Sequence, residues 1–199
     1  MYKAQQLIKS IAQKHRTPKQ VQDLILSFEY NKEPNGETLR SAYQAIKHRT
    51  AHCMEASFVA AAILEHHGYP PLVASIESKD NLDHVLFVFK EKGKWGSVSH
   101  SRDEGLRGRA PKFRSIRDLV WSYFDQYIDL TGKITAYQLA NLNDTHADWR
   151  HSDKNVWKAE QFLIDLKHKP LVSSITRYRK ALNYYKANGE SPKSGKYWW

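Results

Sequence analysis

The sequence predicts an α+β fold in which helices precede a small antiparallel sheet and further helices follow it. Three observations lead there. Apolar residues recur at helical spacing through the first third of the chain. The run His84-Val85-Leu86-Phe87-Val88-Phe89 is then apolar on both faces, as a doubly covered central strand should be. Glu91-Lys92-Gly93-Lys94 turns that strand back into a second one, Trp95 to Ser99. Helices followed by an antiparallel run fit α+β rather than a repeating βαβ pattern.

Taken in order, Leu7, Ile8, Ile11 and Ala12 predict a first helix. Thr17-Pro18 supplies an N-cap and a proline at the first helical position, followed by the stripe Val21, Leu24, Ile25 and Phe28. Residues 31–36 form a turn cluster, and Leu39, Ala42, Tyr43 and Ile46 mark a third helix. Thr50-Ala51-His52-Cys53 opens a fourth, with Thr50 as its N-cap, running to about His67 and closed by Gly68. Leu72 to Glu77 reads as a strand. Beyond Pro111, Ser115 caps a helix with Ile116, Leu119, Val120, Tyr123 and Tyr127 inward. Ile134 to Leu139 reads as a short strand, and helices follow at about 153–168 and 171–188.

Composition removes several classes of function. The 199 residues are 41% hydrophobic and 12% aromatic with only 9 Gly and 7 Pro, which excludes collagen-like and disordered chains. No apolar run approaches the roughly 18–20 residues of a membrane helix, and the amino terminus lacks a signal-peptide core, so no membrane partner is expected. One cysteine rules out an internal disulfide and suits a reducing compartment, so a soluble, cytoplasmic protein is expected. The net charge is +10, concentrated in residues 90–117 (nine basic, three acidic) and 154–199 (ten basic, three acidic). Such blocks attract anionic partners, nucleic acid among them, but no zinc finger, RNP-like strand or phosphate loop accompanies them, and solvated helix faces with a soluble tail are the preferred account.

The chemistry centres on the lone cysteine. In the first turn of a helix, Cys53 meets orphan N–H groups and the positive end of the dipole, which favour thiolate over thiol. Small residues at 56, 57 and 60 on its stripe let the helix lie close to a sheet. His84 stands at the mouth of an apolar strand that has no packing need for a histidine. Folding the hairpin about Lys92–Gly93 sets Ser101 opposite His84, and a straight strand would put Ser99, Ser101 and Asp103 on the His84 face. Cysteine, histidine and a polar orienter together form a thiol acyl-transfer geometry. A cysteine in an apolar helix is more often an inert core residue, so the histidine carries the distinction. His66-His67, even with His52 nearby, do not converge on one ion, since neighbouring helical residues point about 100° apart. Neither metal nor cofactor is expected. Asp103 and Glu104 among arginines read first as a local ion-pair cluster. If residues 101–109 line a cleft, Arg102, Arg107 and Arg109, with Trp95, are candidate substrate-binding residues for a carboxylate or phosphate.

These residues resemble the transglutaminase-like superfamily of papain-type cysteine enzymes: a cysteine at a helix start, Asp83-His84 opening a strand, and a hairpin returning through Trp95-Gly96. Ala51-His52-Cys53-Met54-Glu55-Ala56, His67-Gly68-Tyr69-Pro70-Pro71, Leu82-Asp83-His84-Val85, Lys94-Trp95-Gly96-Ser97 and residues 101–109 are similar to a narrower group of uncharacterised bacterial proteins. Asp148-Trp149-Arg150 and Asn155-Val156-Trp157 belong to the same pattern. The resemblance implies Cys53 as nucleophile and His84 as general base. It places the third member, usually an aspartate, at Ser99, which holds an imidazole but does not neutralise it. Asp103 is the first substitute on the sequence, with Ser101, Asp83 and Asp80 as alternatives. The implied oxyanion donors are the Cys53 N–H and one further group.

The chain thus divides into a helical section (1–49), a transglutaminase-like, papain-like core with the cysteine helix on a small antiparallel sheet (50–130), a carboxy-terminal strand and helices (131–188), and a flexible basic tail (189–199). The expected activity is cysteine-dependent hydrolysis or acyl transfer at an amide of a peptide or protein substrate. The alternative, favoured by Ser99, is a catalytically inactive module that binds a protein or nucleic-acid partner.

Overall fold

The computed structural model describes residues 2–191. In chain order these are α1 (Tyr2–Lys14), α2 (Pro18–Leu26), β1 (Glu29–Tyr30), α3 (Ala42–His48), β2 (Thr50–Ala51), α4 (Cys53–Leu64), β3 (Leu72–Ser78), β4 (His84–Glu91), β5 (Lys94–Val98), β6 (Arg109–Phe113), α5 (Ile116–Trp121), β7 (Ile134–Asn141), α6 (Trp157–Asp165), β8 (Lys169–Pro170) and α7 (Ile175–Asn188). Among the described residues this is a mixed fold of seven α-helices and a six-stranded antiparallel sheet of order β6-β5-β4-β3-β7-β8. A two-stranded parallel pair, β1–β2, stands apart. None of the helices is long and apolar enough to cross a membrane.

The sheet separates two cores. On one face α4 packs on Val73, Val85, Phe87, Phe89 and Val98, with α1, α2, α3 and α6 around it. On the other, Ala74, Ile76, Leu86 and Val88 meet α5, Tyr123, Phe124, Tyr127 and α7. α4 is apolar all round because it is the hub: every residue from Met54 to Leu64 is buried, and Ala60, Ala61 and Ala62 let neighbours approach closely. Its far end is tied by a two-pronged ion pair, Arg150 Nε–Glu65 Oε1 at 2.7 Å and Nη2–Oε2 at 2.6 Å, beside fully buried Trp149 packed on Phe58.

Much of the local grammar holds. Thr17 caps α2 with a full capping box, and Lys92 and Gly93 both take positive φ (46° and 76°), the tight hairpin turn that fixes the β4–β5 register at Phe87↔Val98. Pairing stops there, however, so the straight continuation toward Ser101 and Asp103 does not occur. Pro111 does not precede a helix directly; it lies in edge strand β6, where a missing N–H is tolerated, and Pro170 sits on the opposite edge. α5 ends at Trp121, although Tyr123 and Tyr127 still face inward. Of the carboxy-terminal stretch 189–199, Gly189 caps α7 and Ser191 Oγ donates to the carbonyls of Gln126 and Ile128, so this part is docked; residues 192–199 lie outside the described residues.

One buried side chain couples the helical layer to the end of β5. Gln22 of α2 donates from Nε2 to the Ser99 carbonyl (2.9 Å) and accepts the Ser99 N–H at Oε1 (3.0 Å), completing the pairing that the strand abandons after Val98. Gly108 is required alongside, because a Cβ there would strike the Gln22 amide and the Ser97 carbonyl. Gln22→Leu strands two buried backbone groups, and urea unfolding is expected to show a loss of about 1–3 kcal/mol; an unchanged midpoint would refute the clamp.

Candidate active site

α4 does not begin where the sequence suggested. Thr50 and Ala51 are taken up in pairing with Glu29 and Tyr30, so the N-cap is His52, extended at φ −88° and ψ −177°, and Cys53 is the first helical residue instead of the third. The available signal was Glu55, which three residues after a cap closes a capping box. His52 Nδ1 accepts the Met54 N–H (3.3 Å), and the Glu55 carboxylate accepts the His52 N–H (3.1 Å). That carboxylate is wholly buried and saturated: it also accepts from the Arg40 N–H (2.8 Å), Asn31 Nδ2 (3.1 Å) and Thr38 Oγ1 (3.2 Å). A sealed anion is tolerable only when so bonded, and here it drapes residues 31–40 over the start of the cysteine helix.

His84 is the first residue of β4 and is 4% exposed. Its Nε2 lies 3.0 Å from the Leu106 carbonyl and 3.0 Å from Ser99 Oγ. A carbonyl only accepts, so this network places a proton on Nε2, and the imidazole is also hydrogen-bonded to Cys53, stabilising its thiolate. The orienting position is therefore held by Ser99 and a main-chain carbonyl. Asp103 is exposed, with its N–H donating to Ser101 Oγ (3.1 Å), and Asp83 accepts the Ser78 N–H (2.9 Å); both line the neighbouring cavity without orienting the ring.

Cys53 is half-buried and carries two imidazoles, His84 and His52. Burial pushes its thiol up, but the hydrogen bonds from His52 and His84 and their charges outweigh this and bring it down from 9 to about 5. Burial likewise pushes His52 down, while the Cys53 hydrogen bond and charge, Glu55 and the Thr38 carbonyl raise it to about 9. The Tyr30 hydroxyl is pushed up to about 12 by burial and by the charge on Cys53.

The thiol opens into a cavity of about 470 Å³. Tyr30, Cys53, His84, the 101–106 loop, Gln126, Tyr127 and the docked Tyr185, Gly189–Ser191 stretch form its walls. Among the described residues, six carboxylates line it (Asp80, Asp83, Asp103, Glu104, Asp129 and Glu190), Glu104 being paired with Arg107, together with one guanidinium, Arg102. Burial would raise Asp80, yet hydrogen bonds from Ser78 and Thr131 bring it lower. Of the candidate binding residues only Arg102 lies there. Arg107 pairs with Glu104 (3.3 Å) and borders a separate small groove. Arg109 is fully buried, donating to the carbonyls of Gly105 and Arg107 and stacked 4.0 Å over Tyr123, so it shapes the loop and does not reach a ligand. Trp95 sits at the far end of the hairpin under Lys90. Among the described residues no three His, Cys, Asp or Glu side chains are grouped to hold a metal ion.

No family model matches the sequence, and no curated protein does. Among solved structures, the chain is similar to Legionella pneumophila LapG at 13% identity and a TM-score of 0.44, over 74% of this chain and 92% of that one. A structure of EGTA-treated L. pneumophila LapG gives 12% identity and 0.43, over 83% and 97%. At those values the chemistry has to be argued from the chain's own residues.

The two titrations make opposite contributions to stability. The depressed thiol favours the fold increasingly from about pH 5 upward, and the raised His52 contributes fully below 6.5 and is lost as pH rises through about 9. Between 6.5 and 9 they cancel, since folded and unfolded states then bind equal numbers of protons. Stability is expected to rise by about 1–2 kcal/mol between pH 5 and 6.5 and then stay level. Denaturant melts of the wild type minus Cys53→Ser isolate that step; a difference flat from pH 4 to 9 would contradict the ionised pair.

Proposed function

We propose that the protein is a cysteine-dependent amide hydrolase or acyltransferase of transglutaminase-like type, acting on peptide or protein substrates. The observation that carries this reading is a thiol at the first position of a buried helix, hydrogen-bonded to an imidazole protonated at Nε2, with both opening on one cavity. Cys53 attacks the carbonyl carbon as a thiolate, its proton held on His84. His84 then returns the proton to the nitrogen as the C–N bond breaks, leaving a thioester. Water, or an acceptor amine, attacks that thioester with His84 taking its proton, and the thiolate departs. The helix start offers the Cys53 N–H to the oxyanion. Tyr30, which shares the cavity and holds its proton tightly, is the group we assign as the second donor.

The charge of the walls bears on the substrate. The chain is +10 overall, yet among the described residues the cleft carries six carboxylates, one of them paired with Arg107, to one lining guanidinium, and a cleft focuses its own field. Segments with lysine or arginine near the scissile amide suit it, and the anionic backbone of a nucleic acid does not.

Fluorogenic peptide amides test the reading. Lysine-bearing peptides are expected to turn over, Cys53→Ala and His84→Gln to abolish turnover, and Tyr30→Phe to lower kcat about 10²-fold. Replacing lysine by glutamate beside the cleaved bond should lower kcat/KM, less so at high salt. Turnover that survives Cys53→Ala, or none of any peptide with the thiol no more reactive than free cysteine, would overturn it.

A further inference from the structure

We propose that His52 is a second ionising partner of Cys53: as a cation backed by the buried Glu55 carboxylate, it holds the thiolate while His84 alone moves protons. The inference rests on Cys53 being the nucleophile, and deepens that reading by dividing two duties between two histidines.

The geometry is specific. His52 Nε2 lies 3.1 Å from the Thr38 carbonyl, so it carries a proton whatever the state of the other nitrogen. Its distance to Glu55 Oε1 is 3.7 Å, and that carboxylate is sealed from solvent. Nδ1 then has two mutually exclusive partners. Unprotonated, it accepts the Met54 N–H at 3.3 Å, a long cap bond; protonated, it cannot accept that bond and donates to the Cys53 sulfur instead. The charges facing the ring select the second state. Glu55 lies on the same helix, and Glu160 of α6, itself beside Glu33 and Glu37, interacts with the His52 charge. Cys53 becomes the third anion once ionised; His84 also bonds to the sulfur, and Tyr30, Tyr127 and Glu160 feel its charge.

This arrangement also answers what Ser99 lacks. Ser99 and a carbonyl orient His84 without adding negative charge to the site, so the site's one enclosed carboxylate acts through the other histidine. No proton moves at His52: it enters and leaves each cycle as imidazolium, its N–H···S bond exchanged for the thioester only while acyl group is attached.

The test uses two substitutions that keep the cap. Asparagine and aspartate are both good N-cap residues, so His52→Asn removes the cation and His52→Asp reverses it while the helix start stays capped. Iodoacetamide alkylation of the full chain is followed across pH, with thermal melting as the check on folding. In the wild type the reactive form should emerge at about pH 5. In His52→Asn the midpoint should move up by about one unit or more, a roughly tenfold slower reaction at about pH 6; His52→Asp should move it further. A folded His52→Asn or His52→Asp protein with the wild-type midpoint would overturn the proposal and leave Cys53–His84 chemistry standing. A wild-type thiol that titrates like free cysteine would overturn that chemistry as well.

Discussion

A carboxylate sealed in the protein interior governs the rest of the architecture around the thiol. Glu55 has no access to water, and its hydrogen bonds come from three separate stretches: the His52 cap, the Asn31–Thr38 loop and the Arg40 main chain. Removing any of them leaves a buried charge short of a partner, so the loop, the cap and the helix start have one arrangement in common. That arrangement makes Cys53 the first helical residue and sets the His52 imidazole beside its sulfur. The reactivity inferred for the cysteine is thus inherited from how an anion is buried two residues along the same helix.

The other half of the site is held from the opposite direction. β4 delivers His84 at its mouth, and β5 has already stopped pairing where the ring needs a partner. The clamp from Gln22 keeps Ser99 in place beyond the strand's end, while Arg109, buried over Tyr123, fixes the loop whose Leu106 carbonyl holds the Nε2 proton. A cleft whose charged lining among the described residues is mostly carboxylate opens there, and Gly189 to Ser191 form part of its wall.

Features that rest on local chemistry were legible in the sequence. The Thr17-Pro18 cap, the doubly buried β4 and the hairpin register set by Lys92–Gly93 follow from side-chain period and turn geometry alone. The expectation that Cys53 and His84 share a site comes from the transglutaminase-like resemblance. What stayed hidden depends on distant partners. β2 claims Thr50 because β1 lies beside it, which no local pattern states, and so the cap moved to His52. Extrapolating β5 past Val98 favoured Asp103, whereas a glutamine from α2 ends the strand and leaves Ser99 at the ring. Arginines 107 and 109 look equivalent in sequence; only the packing of Tyr123 decides that one is interior.

Because the chain contains a single cysteine, the ionisation of that sulfur is directly measurable. The ultraviolet absorbance of the thiolate, taken as the difference between wild type and Cys53→Ser across pH, reports it without any reagent or substrate. The account predicts a step centred near pH 5. A step near 9, the ordinary cysteine value, would show that neither imidazole stabilises the thiolate, and the proposed chemistry would fail with it.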